Sequence, residues 1–231
     1  MAIDPLQLRQ VSVFQSATDD DLKSIAGHAI ARSIEEGGFF FLQGDPADYL
    51  YVLVSGRAKL MQTNPAGQQV NLRTINEWQM FGALGAVREN ATYPATAQAL
   101  ENSTALAIRS DFMHEMIKTR PHLSFNLMKL MTDYIQEMQE RYRELATEKV
   151  ERRIARALLR LTAQMGIKTD DGGIELTFTR QDLAEMSGTT LYTVSRVLSE
   201  WERRGFVEAG RERVLIRKPH GLVQIAEESD Q

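Results

Sequence analysis

The chain has 231 residues, with 27 lysines and arginines against 31 aspartates and glutamates, a net charge of −4 and no cysteine. The missing cysteine excludes disulfides, thiolate-held metals and a cysteine-ligated iron–sulfur cluster. A hydrophobic content of 43% with 25% charged residues is ordinary for a globular protein. No run is long and apolar enough for a membrane span, and the start MAIDPLQLRQ lacks the parts of a signal peptide, so a cytoplasmic location is expected.

Residues 1–31 read as short helices: Phe14 precedes a cap-rich stretch at Ser16 to Asp21, and Leu22, Ile25 and Ala26 follow at helical spacing. From Arg32 to Ile108 short β-rich runs alternate with turns. The runs are Phe39 to Leu42, Tyr49 to Val54, Ala58 to Thr63 and Val70 to Ile75. The turns fall at Gly44-Asp45-Pro46, Ser55-Gly56 and Asn64 to Gly67. This spacing predicts an all-β barrel or roll. Phe81-Gly82-Ala83-Leu84-Gly85 breaks the rhythm, and a second alternating run follows from Thr96 to Ile108.

Phe112 to Leu145 reads as helix, interrupted or started at Pro121. Leu127, Met131, Tyr134, Met138 and Leu145 follow four-three spacing, with Ile135 and Tyr142 beside them. Such a stripe packs on its own β-domain or forms the seam of a parallel coiled-coil dimer; Arg141 breaks the seam once. A further amphipathic helix is expected from about Lys149 to Ala163, then a polar loop from Gly166 to Gly173, and an acidic, frayed tail from Glu227.

Thr179 to Arg204 reads as two short helices joined by a tight turn. Thr179 caps the first with Asp182 three residues on, Gly188 supplies the positive φ of the turn, and Thr190 caps the second. Val194, Val197, Leu198 and Trp201 would face a core, leaving Leu191, Tyr192, Thr193, Ser195 and Arg196 outward. A merely packing αα-hairpin has the same outline. The polar outer face with Arg196, the strand at Ile174 to Phe178 and a β-hairpin around Gly210-Arg211 favour a winged helix-turn-helix. Net acidity does not exclude DNA: residues 150–220 carry 13 basic and 10 acidic groups, and a local basic face is sufficient for phosphate contact.

In the order FLQGDPADYLYVLVSGRAKL, the FGALG turn, the long helix and TRQDLAEMSGTTLYTVSRVL, the chain resembles the CRP/FNR superfamily of bacterial transcription regulators over almost its whole length. The resemblance implies an α+β protein. Residues 1–118 would form a cyclic-nucleotide-binding-like β-roll (jelly roll) sensor, 119–148 a dimerisation helix and 149–231 a winged-helix DNA-binding domain. It further implies a homodimer on two-fold-related half-sites of double-stranded DNA, RNA polymerase as a partner and a small effector. Matched to the family pattern, Thr179, Gln181, Thr190 and Thr193 would touch phosphates and Arg196 would read guanine. Tyr192 stands where the family usually has a glutamate, and Leu191 where arginine or valine is frequent, which changes the expected half-site.

The effector positions depart further. Ala83 and Tyr93 stand where cyclic-AMP-responsive members have a glutamate and an arginine, and Pro94 where a serine would sit; Arg88 and Arg109 are near but not in place. The usual cyclic-AMP contacts are therefore not expected. The expected pocket is bounded by Phe81 to Gly85, by Tyr93, Pro94 and Ala95, and by Tyr134, Met138 and Gln139. Tyr93 to Ala99 resembles members that respond to nitrogen oxides, some through haem; His28, His114 and His122 are the conceivable axial ligands, although a structural role is the ordinary one for each. A non-haem ligand or none is equally open. A hinge is expected near Thr147 to Val150. The competing classes are an enzyme and a regulatory module that never touches DNA. No phosphate-binding glycine loop, metal-ligand cluster or nucleophile elbow supports the enzyme, and the capped turn with Arg196 opposes the module.

Overall fold

The computed structural model describes residues 4–64, 69–210 and 212–227. Most of the turn expected at Asn64 to Gly67, Arg211 of the wing tip and the tail beyond Glu227 lie outside the described residues. The chain divides into two compact units, Met1–Glu137 and Met138–Gln231.

The first unit begins with two 3-10 turns, Pro5–Gln10 and Ser12–Phe14, and helix α1 (Asp19–Gly27). The expected cap is a full capping box: Thr18 Oγ1 accepts from the Asp21 N–H, and the Asp21 carboxylate accepts from the Thr18 N–H. Eight strands follow: β1 (Ala29–Ile34), β2 (Phe39–Phe41), β3 (Tyr49–Ser55), β4 (Ala58–Thr63), β5 (Gln69–Ile75), β6 (Met80–Phe81), β7 (Thr96–Ala99) and β8 (Ser103–Arg109). They form two antiparallel sheets ordered β1-β8-β3-β6 and β2-β7-β4-β5. The alternating run expected from Thr96 to Ile108 thus splits at Leu100 to Asn102 between the sheets.

Strands β3 and β8 are buried on both faces, and their period of two sorts side chains between two cores. Leu50, Val52, Leu106 and Ile108 join Leu8, Phe14, Leu22, Ile25 and Met113 of the helical layer. Tyr51, Leu53, Ala105 and Ala107 face the interior of the roll, where small alanines leave room for the rings of Phe41, Phe81 and Tyr93. A short helix α2 (Leu84–Val87) occupies the FGALG break. Helix α3 (Ser110–Thr119) ends before Pro121, and α4 (Pro121–Thr147) starts on it, as a proline at the first helical position allows.

Helix α4 divides the expected stripe between the two readings, and Leu127 is the member that leaves the seam. Leu127 is 6% exposed within the first unit's core beside Leu123, with Leu130 packed against it, so it is not available to a partner. Tyr134 and Met131 line a cavity of the same unit. The outward apolar residues are Phe125 (63% exposed), Met128, Ile135 (56%), Tyr142 (75%) and, of the expected seam itself, Met131 (37%), Met138 and Leu145. The helix has two apolar faces, and spacing alone does not tell which one the β-roll covers.

The second unit contains α5 (Val150–Met165), β9 (Ile167–Lys168), β10 (Ile174–Thr177), α6 (Arg180–Ser187), α7 (Leu191–Arg203), β11 (Val207–Ala209), β12 (Arg213–Ile216) and α8 (Pro219–Glu227). Its sheet is ordered β11-β12-β10-β9. Ile154, Leu158, Leu176, Leu183, Val194, Leu198, Trp201, Val214 and Ile216 make its core. The loop expected at Gly166 to Gly173 opens with β9, which pairs with β10.

Candidate nucleic-acid interface and effector cavity

The helix-turn-helix is built by local chemistry. Thr179 Oγ1 accepts from the Asp182 N–H at 3.1 Å, and Asp182 Oδ2 accepts from the Thr179 N–H at 3.1 Å and from its hydroxyl at 2.6 Å. Gly188 ends α6 in the left-handed region at φ 59°, and its N–H reaches the Ala184 carbonyl. Thr190 then caps α7 by accepting from the Thr193 N–H at 3.2 Å.

Val194, Val197, Leu198 and Trp201 are buried. On the opposite side of α7, Leu191, Tyr192 (78% exposed) and Arg196 are exposed, and Thr193 and Ser195 are half-buried. Arg196 makes no ion pair or hydrogen bond among the described residues. Two expected phosphate groups are already engaged: the Thr179 hydroxyl by Asp182, and Gln181 Nε2, which donates to Glu185 Oε1 at 3.0 Å.

Two arginines escaped the sequence reading. Arg180 Nη1 donates to Ser195 Oγ at 3.4 Å, linking the two helices. Arg153 of α5 donates to the carbonyls of the turn itself, Ser187 and Gly188. Their neighbours in sequence carry no sign of either contact. At the base of the wing, Arg217 is held by Glu208 and Asp171; hydrogen bonds from the Thr169 hydroxyl and then from Arg217 keep the Asp171 carboxyl below its ordinary value, and the bond from Arg217 does the same for Glu208.

In the first unit, a cavity of about 240 Å³ is lined by Phe81, Gly82, Ala83, Leu84, Tyr93, Pro94, Ala95 and Tyr134 of the expected set, together with Phe41, Leu60, Arg73, Met80, Leu127, Leu130 and Met131. Three expected members do not line it. Gly85 backs onto the carbonyl of Ala47 and borders a separate hollow of about 640 Å³ with His114. Met138 and Gln139 lie in the second unit.

Tyr93 is 3% exposed and belongs to the aromatic core: its ring stacks on Phe41 at 3.7 Å between centroids. Its hydroxyl donates to the Tyr49 carbonyl at 2.5 Å and accepts from the Tyr49 N–H at 3.2 Å. Burial, and then the neighbouring Tyr51, push this phenol well above its ordinary value, so it stays neutral. Gly82 takes φ 70°, and a Cβ there would meet both the Phe41 and Tyr93 rings. The carbonyl of Pro94 accepts from Gln62 Nε2 at 2.9 Å.

None of the three candidate haem histidines lines this cavity. His28 stacks on Phe112 with Nδ1 at 2.8 Å from the Ser24 carbonyl, His114 meets the Ala86 carbonyl, and His122 lies 3.2 Å from Asp21. A haem in the cavity would find no imidazole there among the described residues, and one ring nitrogen of each histidine already has a structural partner.

A roll of this topology with a capped helix-turn-helix and a wing defines a DNA-binding regulator with a ligand-binding type of sensor domain. Residues 31–120 match the cyclic nucleotide-binding domain, and residues 152–225 match the Crp-like helix-turn-helix domain. The cyclic AMP receptor protein of Thermus thermophilus is 29% identical over 215 residues, 93% of this chain and 96% of that protein. A solved CRP/FNR-family transcriptional regulator from the same organism superposes with a TM-score of 0.74 at 23% identity, covering 86% of this chain and 99% of that one. The c-di-GMP responsive global regulator CLP of Xanthomonas campestris gives 0.78 at 20%, covering 86% and 99%. The chain belongs to the CRP/FNR superfamily of transcription regulators, and its domains are those of DNA-binding regulators rather than enzymes. Among the described residues no helix is long and apolar enough to cross a membrane.

Proposed function

We propose that the protein acts as a homodimer that reads two-fold-related DNA half-sites with the Leu191 to Arg196 face of α7. The observation that carries this reading is the exposed, unpartnered guanidinium of Arg196 on a helix capped at Thr190. A planar fork there meets guanine O6 and N7 bidentately, which is the commonest specific arginine contact. Tyr192 cannot accept as a carboxylate does; its ring suits a thymine methyl and its hydroxyl a base edge. Phosphates are held by the one hydroxyl proton that the Thr190–Thr193 pair, 2.9 Å apart, leaves free and by the first-turn N–H groups of α6 and α7 that the caps do not use, whereas the Thr179 hydroxyl donates to Asp182 and Gln181 Nε2 to Glu185.

The dimer seam is assigned to the outward stripe containing Phe125, Met128, Ile135 and Tyr142. Two-fold symmetry would then space the α7 helices about 34 Å apart, one DNA turn. An effector in the β-roll cavity controls the dimer by binding its two arrangements with different affinity. The Thermus relative is named for cyclic AMP; here Ala83, Tyr93 and Pro94 offer neither cation nor free hydroxyl for the usual contacts. Contact with RNA polymerase follows from the family alone.

The test is selection of duplexes from a random-sequence pool by the purified full chain. Recovery of a palindromic site with its half-sites one turn apart supports the proposal; recovery of no consensus from a folded protein refutes it.

A further inference from the structure

We infer that the β-roll cavity takes a small aromatic carboxylic acid, and that Arg73 is the residue that reads its charge. This rests on the reading of the cavity as the effector site. Leu60, Met80, Phe81, Leu127, Leu130 and Met131 give the cavity apolar walls, and Arg73 is the one ionisable cation among the described lining residues.

Arg73 is half-buried on β5. Its guanidinium lies over the Tyr134 ring at 4.2 Å from the centroid, and Nη2 donates to Gln79 Oε1 at 3.2 Å. Both partners are neutral, and no carboxylate meets it among the described residues. A guanidinium taken partly out of water without a counter-ion is under-compensated, and an anion entering an apolar cavity makes its strongest bonds there. A single carboxylate on a ligand therefore has one place to go.

The rest of the lining selects what carries that carboxylate. The Tyr93 hydroxyl is committed to the Tyr49 backbone, so it offers nothing to a sugar or a phosphate. A nucleotide would bring several ribose and base polar groups against leucine, methionine and phenylalanine side chains, each at a desolvation cost. A flat ring has no such groups. The volume, about 240 Å³, lies below the roughly 300–1,000 Å³ of drug-sized sites, which suits one ring with a short arm. Arg73 also joins the ligand to α4: a carboxylate that draws the guanidinium weakens its hold on Tyr134, a differential contact of the kind an effector needs.

The experiment is isothermal calorimetry and thermal melting of the full chain, without DNA, using trans-cinnamate, benzoate, cinnamamide and cyclic AMP at millimolar concentration. The expected result is cinnamate binding at least about tenfold tighter than its amide. Arg73→Gln removes that preference and Arg73→Lys keeps part of it. Equal binding of acid and amide, unchanged acid binding in a folded Arg73→Gln, tighter binding of cyclic AMP than of either acid, or no binding of either acid would overturn the inference. The wild-type acid and amide comparison stands even if Arg73→Gln does not fold. Because no DNA is present, these failures leave the operator selection untouched, and failure of that selection leaves ligand binding untouched.

Discussion

Arg153 donates from Nε to the carbonyl oxygen of Ser187 at 3.0 Å, fastening α5 to the turn of the helix-turn-helix. The same guanidinium reaches the Glu148 carbonyl at 2.9 Å and the Gly188 carbonyl at 3.3 Å, so one side chain ties three backbone acceptors together. Around it, the buried carboxylates of Glu144 and Glu148 are paired with Arg160 at 2.8 Å and Arg156 at 3.0 Å. The helix break expected as a hinge, with Lys149 extended at φ −62° and ψ 148°, is thus anchored within the second unit.

Arg153→Met leaves these carbonyls without a charged donor. Hydrogen bonds to charged groups contribute about 1.5–3 kcal/mol each, and partial rehydration offsets part of the loss, so a destabilisation of about 2–4 kcal/mol is expected. Urea unfolding followed through the second unit measures it. Arg153→Lys is expected to recover only part, because a single ammonium cannot span all three acceptors.

Gly188→Ala is expected to cost more than a usual glycine-to-alanine change. The left-handed φ of 59° alone costs about 1–2 kcal/mol, and a Cβ would stand 2.5 Å from Leu145 Cδ2. Adding Leu145→Ala removes the clash but not the backbone cost, so the double mutant should regain part of the stability. Simple additivity in the melts would contradict the contact.

The buried Asp21 makes stability pH-dependent. Burial by itself raises the carboxyl, but hydrogen bonds from Thr18 and from Arg120 Nε at 2.5 Å outweigh it and hold the group at about 2. A folded value below the ordinary 3.8 contributes stability that is present above the unfolded value and lost as pH falls through about 4 towards 2. Asp21→Asn should therefore cost about 2 kcal/mol at pH 7, and the gap between wild type and mutant should narrow below about pH 5. A gap that stays constant down to pH 3 would contradict the assignment.

On α4 the two apolar faces separate by mutation. Ile135→Glu is expected to give a folded monomer in sedimentation, whereas Leu127→Glu, which places a charge in the first unit's core, is expected to unfold that unit.

What was legible in the sequence followed range. Thr179 with Asp182, Gly188 and Thr190 announce the helix-turn-helix because caps and turns are fixed by neighbours within four residues. The glycine-punctuated runs announce most of the roll for the same reason. Strand β1 stays hidden because its side chains are largely exposed and show no alternation. The meeting of Arg73 with Tyr134 joins residues from β5 and α4, and the exit of Gly85, Met138 and Gln139 from the cavity depends on tertiary packing. Packing on the β-roll and a dimer seam stayed open for the stripe through Leu127 because a second apolar stripe on the same helix carries a similar period; the structure places Leu127 itself in the first unit's core.

The most direct test concerns Arg196. Competition gel shifts would compare wild type and Arg196→Ala on the selected site and on the same site with its guanines replaced in both half-sites. The expected result is a loss of about 1–3 kcal/mol of discrimination per half-site at fixed salt, with the mutant still folded and dimeric. If Arg196→Ala keeps both the affinity and the preference of the wild type, α7 does not read DNA through this face and the regulator mechanism described above is contradicted.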